Sequence, residues 1–174
     1  MTRESAVLVP VPEAEPLVGR WRERYDPAAA VGVPAHITLL YPFVDPDTID
    51  ASVRDRLETL FSVVEPFGFT LGGPSSFGDQ VLWLAPDPAD PFVGMTEALA
   101  DTFGLKPYGG AYDDITPHLT TVDRSSGARV ETLDEARAAL TGSLPITARA
   151  DEAWLMVQHD DGLWRTQAAF PFGG

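Results

Sequence analysis

Two of the three histidines in this 174-residue chain are followed, two positions on, by a threonine. They sit in "VPAHITLLYPF", residues 33–43, and in "TPHLTTV", residues 116–122. On a β-strand, residues i and i+2 share a face. His36 and Thr38 therefore project together, with Ile37, Leu39 and Tyr41 turned the other way, and His118 and Thr120 do the same. Imidazole exchanges a proton near neutral pH, and a threonine hydroxyl can donate to an anionic oxygen. A single such pair in an apolar strand is ordinarily a satisfied polar pair of a core. Two pairs, each led in by a proline, allow more. From opposite walls of one cleft, one imidazole can take a proton from an attacking oxygen while the other gives one to the leaving oxygen. The hydroxyls can steady the non-bridging oxygens of a phosphodiester as their charge grows.

Elements of matching order surround the two motifs. "SAVLVP" predicts a strand at 5–10, and Leu17, Trp21 and Tyr25 recur at helical spacing over 13–25. The first motif strand spans 34–42. A helix follows, capped by Asp47 and keeping Ile49, Val53, Leu57, Leu60, Phe61 and Val64 on one face. Strands are expected at 67–72 and 81–85, separated by the turn-rich "GGPSSFGDQ", then a helix over 91–103 stopped by Gly104. The second motif strand, 117–122, leads to a helix at 131–141 and strands at 144–150, 152–158 and 163–170, with "HDDG" as the last hairpin turn. Each motif strand is thus followed by one helix and two strands, a repeat offset by 82 residues (His36 to His118). In that repeat Trp83 and Trp154 take matching places and read as core.

Composition limits the partners. Twelve Lys and Arg stand against 26 Asp and Glu, a net charge of −14. Long nucleic acid is gripped by neutralising many phosphates, so this balance disfavours it but leaves room for a small phosphate ligand. No apolar run reaches the roughly 18 residues of a membrane helix, and the N-terminus lacks a signal-peptide layout. A cytoplasmic monomer is expected. With no cysteine, thiolate nucleophiles and cysteine-based zinc sites are excluded.

"HITLLYPF" and "PHLTTV" resemble the paired signature of the two-histidine phosphoesterase superfamily, the 2'-5' RNA ligase or 2',3'-cyclic phosphodiesterase family. The resemblance spans nearly the whole chain in length and element order. It implies a single α+β domain over 1–174, bilobal, with two pseudo-symmetric lobes. Each lobe has an antiparallel sheet with helices packed outside, and the cleft lies between. It also implies phosphodiester chemistry without metal or other cofactor. On the matching positions His36 becomes the proton donor, His118 the acceptor, and Thr38 and Thr120 the phosphate ligands; near-symmetry lets the acid and base labels be exchanged. RNA-acting members often carry arginine five residues after the second histidine. Here that place is Asp123, followed by Arg124. The expected substrate is therefore a small phosphodiester or nucleotide, with short RNA ends less favoured. Two alternatives remain: a non-catalytic nucleotide- or phosphate-binding module, and a ligase of RNA ends.

Other polar and aromatic residues are weighed against these. Tyr108 and Tyr112, in the loop before the second motif, are candidates to stack a base. His159 reads as a hairpin-turn residue rather than a metal ligand, and Asp113 and Asp114 as a solvated turn. Arg20, Arg22 and Arg24 read as a solvated helix face.

Overall fold

β1, Ser5–Pro10, has no polar face because the sheet it joins is covered on both sides. Val7 and Val9 enter the main core, while Leu8 joins a smaller cluster on the opposite face with Val33 and Met156. The computed structural model describes residues 2–173. A 3-10 turn at Pro12–Ala14 leads into α1, Glu15–Tyr25, followed by the single turn of α2, Pro27–Ala30.

β2 covers only His36–Leu40, against the expected 34–42. Pro34 has no N–H to give a ladder, and the Ala35 N–H is taken by the Glu15 carboxylate at 2.6 Å. α3, Ala51–Ser62, is capped not by Asp47 but by Asp50, whose carboxylate accepts from the Val53 N–H at 2.9 Å. Asp45 instead caps a 3-10 turn at Pro46–Thr48.

β3, Phe67–Phe77, and β4, Val81–Asp87, make a longer hairpin than the sequence suggests. The strand runs on through Gly72 and Gly73, with its register shifting between Leu71 and Pro74. Pro74 is tolerated because β6 pairs with β3 only from Phe67 to Leu71, which leaves the later half an open edge.

α4, Asp90–Phe103, ends at Gly104, whose φ of 65° is the left-handed stop expected of it. β5, Leu119–Asp123, then α5, Val130–Thr141, precede β6, Ile146–Ala150, β7, Glu152–Gln158, and β8, Trp164–Pro171.

The strands form two four-stranded antiparallel sheets, ordered β2-β1-β7-β8 and β5-β4-β3-β6. This is the expected α+β pair of lobes, but the lobes are not the two halves of the sequence. β4, with β3 beyond it, follows the first motif but pairs with the strand of the second. β7 and β8, which follow the second, return to β1. The equivalent of β4 is therefore β1. Trp83, across from Thr120, matches Leu8, across from Thr38; it does not match Trp154, which lies one strand beyond. One continuous buried cluster joins both sheets, including Ile37 and Leu155 of the first and Leu84 and Leu119 of the second. α4 packs on β2, and α1 packs on β5.

Both motif strands carry the same irregularity. Val7 pairs with Leu40 and Leu8 with Thr38, which leaves Leu39 as an extra residue. Leu82 pairs with Val122 and Trp83 with Thr120, which leaves Thr121 extra. A bulge puts two successive residues on one side. Leu39 and Leu40 are both buried, as are Thr121 and Val122.

Candidate active site

β2 and β5 are edge strands, and they come against each other where the lobes meet. His36 and Thr38 thus face His118 and Thr120, all four half-buried. The two histidines are held alike. His36 Nδ1 lies 2.7 Å from the Pro34 carbonyl oxygen, and His118 Nδ1 lies 2.7 Å from the Thr116 carbonyl oxygen. A carbonyl only accepts, so each Nδ1 carries the proton and donates it. Each neutral ring then keeps its Nε2 lone pair for a ligand.

Burial disfavours charge on both rings. His36 is pushed down from 6.5 to about 4, by burial first, then by the Arg22 guanidinium and by His118, against the pull of the Pro34 carbonyl. Burial also lowers His118, opposed by the Thr116 carbonyl.

Between pH 6.5 and about 4 the unfolded chain binds a proton at residue 36 that the folded chain refuses, so stability falls as the pH drops through that window. The melting temperature is expected to fall more steeply from pH 6.5 to 4 in the wild type than in His36→Ala; parallel melting curves would contradict it.

The bulge in β2 overturns the expectation that Tyr41 faces the core. After two buried leucines the chain returns Tyr41 to the side of Thr38. There its ring lies 6.4 Å from Tyr108 and 6.3 Å from Trp164, and its hydroxyl donates to Glu4 at 2.8 Å. Tyr108 reaches the site. Its N–H donates to the Tyr41 carbonyl at 2.6 Å, and its hydroxyl lies beside that of Thr38. Its φ of 52° belongs to the left-handed region that a non-glycine residue seldom enters. Tyr112 stands outside it, edge-on at 5.7 Å and 71% exposed.

On the other wall Trp83 is not simply core. Its ring stacks on Phe77 at 4.8 Å, and both rings meet His118 edge-on, at 5.8 and 5.0 Å. Phe77, 39% exposed, carries no signal in the sequence, where it is a lone aromatic in a turn-rich stretch.

Arg22 is the largest departure from the sequence reading. Arg20 and Arg24 are exposed beside Trp21 and Tyr25, but Arg22 is 2% exposed and bound to Asp26 at 2.9 Å. The bulge in β5 likewise returns position 123 to the side of Thr120, and the Asp123 carboxylate accepts from the Ser125 N–H at 2.8 Å. Arg124 is bound elsewhere, to Asp79 at 3.1 Å and to the Ala128 carbonyl at 3.3 Å. His159 is exposed in the β7–β8 turn, and Asp113 and Asp114 are exposed in their loop. Among the described residues no three His, Cys, Asp or Glu side chains converge as a metal ligand set.

Two antiparallel sheets meeting at paired His-x-Thr edge strands have the architecture of the two-histidine phosphoesterases. Residues 9–162 match the model of the 2'-5' RNA ligase superfamily, and the chain belongs to that superfamily. A Bacillus licheniformis protein named "Putative phosphoesterase" is 27% identical over 180 residues, covering 96% of each chain. A Bacillus cereus protein of the same name is 29% identical over 154 residues, 87% of this chain and 86% of that one. Among solved structures, TT0787 of Thermus thermophilus superposes with a TM-score of 0.66 at 19% identity, covering 100% of this chain and 99% of that one. E. coli LigT complexed with 3'-AMP superposes with a TM-score of 0.59 at 15% identity, with full coverage of both. No described helix is long and apolar enough to cross a membrane.

Proposed function

We propose that the chain hydrolyses a small or terminal 2',3'-cyclic phosphodiester without a metal, with His36 and His118 as a paired general acid and base. The observation that carries this reading is the matched pair of imidazoles, His36 opening β2 and His118 just before the facing edge strand β5, each with Nδ1 tied to a carbonyl and Nε2 left to act. Water attacks phosphorus. One neutral imidazole takes its proton, the other, protonated, gives a proton to the departing ribose oxygen, and a phosphomonoester remains. Thr38 and Thr120 hold the non-bridging oxygens. Tyr108, beside Thr38, and Tyr112 behind it offer ring faces to the nucleoside.

The binding of 3'-AMP by LigT, a product-like nucleotide monoester, supports a substrate of this size. Asp123 and the net charge of −14 favour a small substrate over RNA ends or long RNA. A protein that only sensed such a ligand would have no use for two proton-transfer groups.

The test is a panel of 2',3'-cyclic nucleotides, cyclic dinucleotides and short RNAs with each terminal phosphate, read by product mass with and without EDTA. A nucleoside monophosphate formed from a 2',3'-cyclic nucleotide at an unchanged rate in EDTA is expected. Loss of turnover in EDTA with rescue by zinc, or a ligand-induced melting shift with no product, would overturn the reading.

A further inference from the structure

α1 touches both halves of the site. It lies on β5, the strand that follows His118, and its Leu17, Val18 and Trp21 pack into the main core. Another side of the same helix carries Glu15 and Arg22, with Asp26 at its C-terminal cap. Glu15 and Arg22, seven residues apart, fall on one stripe of the 3.6-residue turn, and Asp26 lies four residues on, just past the helix end. The Arg22 fork is used in three directions. Nε donates to Asp26 Oδ2 at 2.9 Å, Nη2 donates to the Val33 carbonyl at 3.1 Å, and Nη1 lies 3.8 Å from Glu15 Oε1. That same Glu15 oxygen accepts the Ala35 N–H at 2.6 Å. Gly19 leaves the space for this, since a Cβ there would come within 3.1 Å of the Glu15 carboxylate. Residues 33 and 35 are therefore both gripped, and between them Pro34 presents the carbonyl that anchors His36 Nδ1 at 2.7 Å. Among the described residues no charged side chain grips residues 115–117, which lead to His118, in this way.

We propose that Arg22 is the positioning residue of His36. Through Val33 and the Glu15 carboxylate it holds the loop that fixes the imidazole, and through the seat of α1 on β5 it ties that imidazole to the position of His118. The inference rests on the reading of His36 as a proton-transfer group.

Arg22 has two effects on the ring. It fixes the Nδ1 anchor, and its charge opposes a second positive charge on the imidazole. The charged groups facing this assembly are Glu15 from α1, Asp26 at its C-terminal cap, His36 from β2, Asp123 at the end of β5 near Asp26, and His118 across the cleft. A guanidinium fork grips two acceptors in fixed geometry where an ammonium cannot, so lysine is not an equivalent here.

The test compares wild type, Arg22→Gln and Arg22→Lys. Nitrogen NMR of the histidine rings gives tautomer and titration, and hydrolysis of 2',3'-cyclic AMP is followed against pH. In Arg22→Gln, His36 is expected to titrate at higher pH and to lose its single Nδ1–H tautomer, with His118 unchanged. The same variant should lose kcat by about tenfold to a hundredfold with KM little altered, as for a misplaced catalytic group. Arg22→Lys should restore the titration but only part of kcat. Leaving Asp26 buried and unpaired can unfold Arg22→Gln, so Arg22→Met/Asp26→Leu, an apolar replacement of the ion pair, is measured beside it. An unchanged His36 tautomer and titration in a folded Arg22 variant overturns the proposal. That outcome is separate from failure of the functional reading, which is marked by full turnover in His36→Ala.

Discussion

Replacing either His36 or His118 with alanine is expected to lower kcat toward a 2',3'-cyclic nucleotide by about 10²–10⁴-fold, the usual contribution of a positioned acid or base. In the proposed mechanism each imidazole does one half of a coupled proton transfer, so losing one leaves the other without a partner. The double variant should fall little further than either single one. Folding should survive. Both rings are half-buried, and each makes its one hydrogen bond to a carbonyl two residues earlier in the chain. Tm near neutral pH should therefore stay close to that of the wild type while turnover collapses. Steady-state kinetics beside a melting curve separate the two effects. Full activity in either single variant would remove that histidine from the reaction.

The second large effect is on pH. The proposed hydrolysis needs one imidazole neutral and one protonated. Both rings are lowered from 6.5, His36 to about 4, so at pH 7 the free protein holds both neutral and is short of its acid. Lowering the pH supplies that proton and raises kcat/KM, until the second ring also protonates and the rate falls. The optimum of kcat/KM is therefore expected on the acid side of neutrality, above about 4 and below 6.5, with about a tenfold loss per pH unit well above it. Both limbs belong to the pair rather than to either residue. An anionic phosphate between the rings favours their charged forms, so the kcat profile should lie at higher pH than that of kcat/KM. A kcat/KM that climbs from pH 6 to 8 would contradict this account.

Much of the scaffold was readable because it rests on local rules. β1, α4, α5 and the last three strands lie within a residue or two of where periodicity and stop signals put them. The two motif histidines declared themselves by spacing and by their repetition. What escaped depends on long-range pairing. The repeat in the sequence could not reveal that β3 and β4 cross to the strand of the second motif, and so it matched Trp83 with Trp154 instead of Leu8.

Strand parity failed at Tyr41 because a bulge is a property of two paired strands, and only the pairing of Val7 and Leu8 shows that Leu39 is extra. The same bulge on β5 returns Asp123, five residues after its histidine, to the side of Thr120, as it returns Tyr41 to that of Thr38. Arg22 was misread for a related reason. An arginine on an amphipathic helix is usually solvated, and nothing nearby in sequence announces that a carbonyl eleven residues on will close over it.

In the proposed reaction water attacks phosphorus while one histidine takes its proton and the other gives one to the leaving oxygen. Hydrolysis of a 2',3'-cyclic nucleotide in ¹⁸O-labelled water, with EDTA present, tests this directly by the mass of the product. One ¹⁸O is expected in the phosphoryl group of the monoester, formed at the full rate by the wild type and at about 10²–10⁴-fold lower rates by His36→Ala and His118→Ala. Label in the ribose, or undiminished incorporation by either variant, would contradict it.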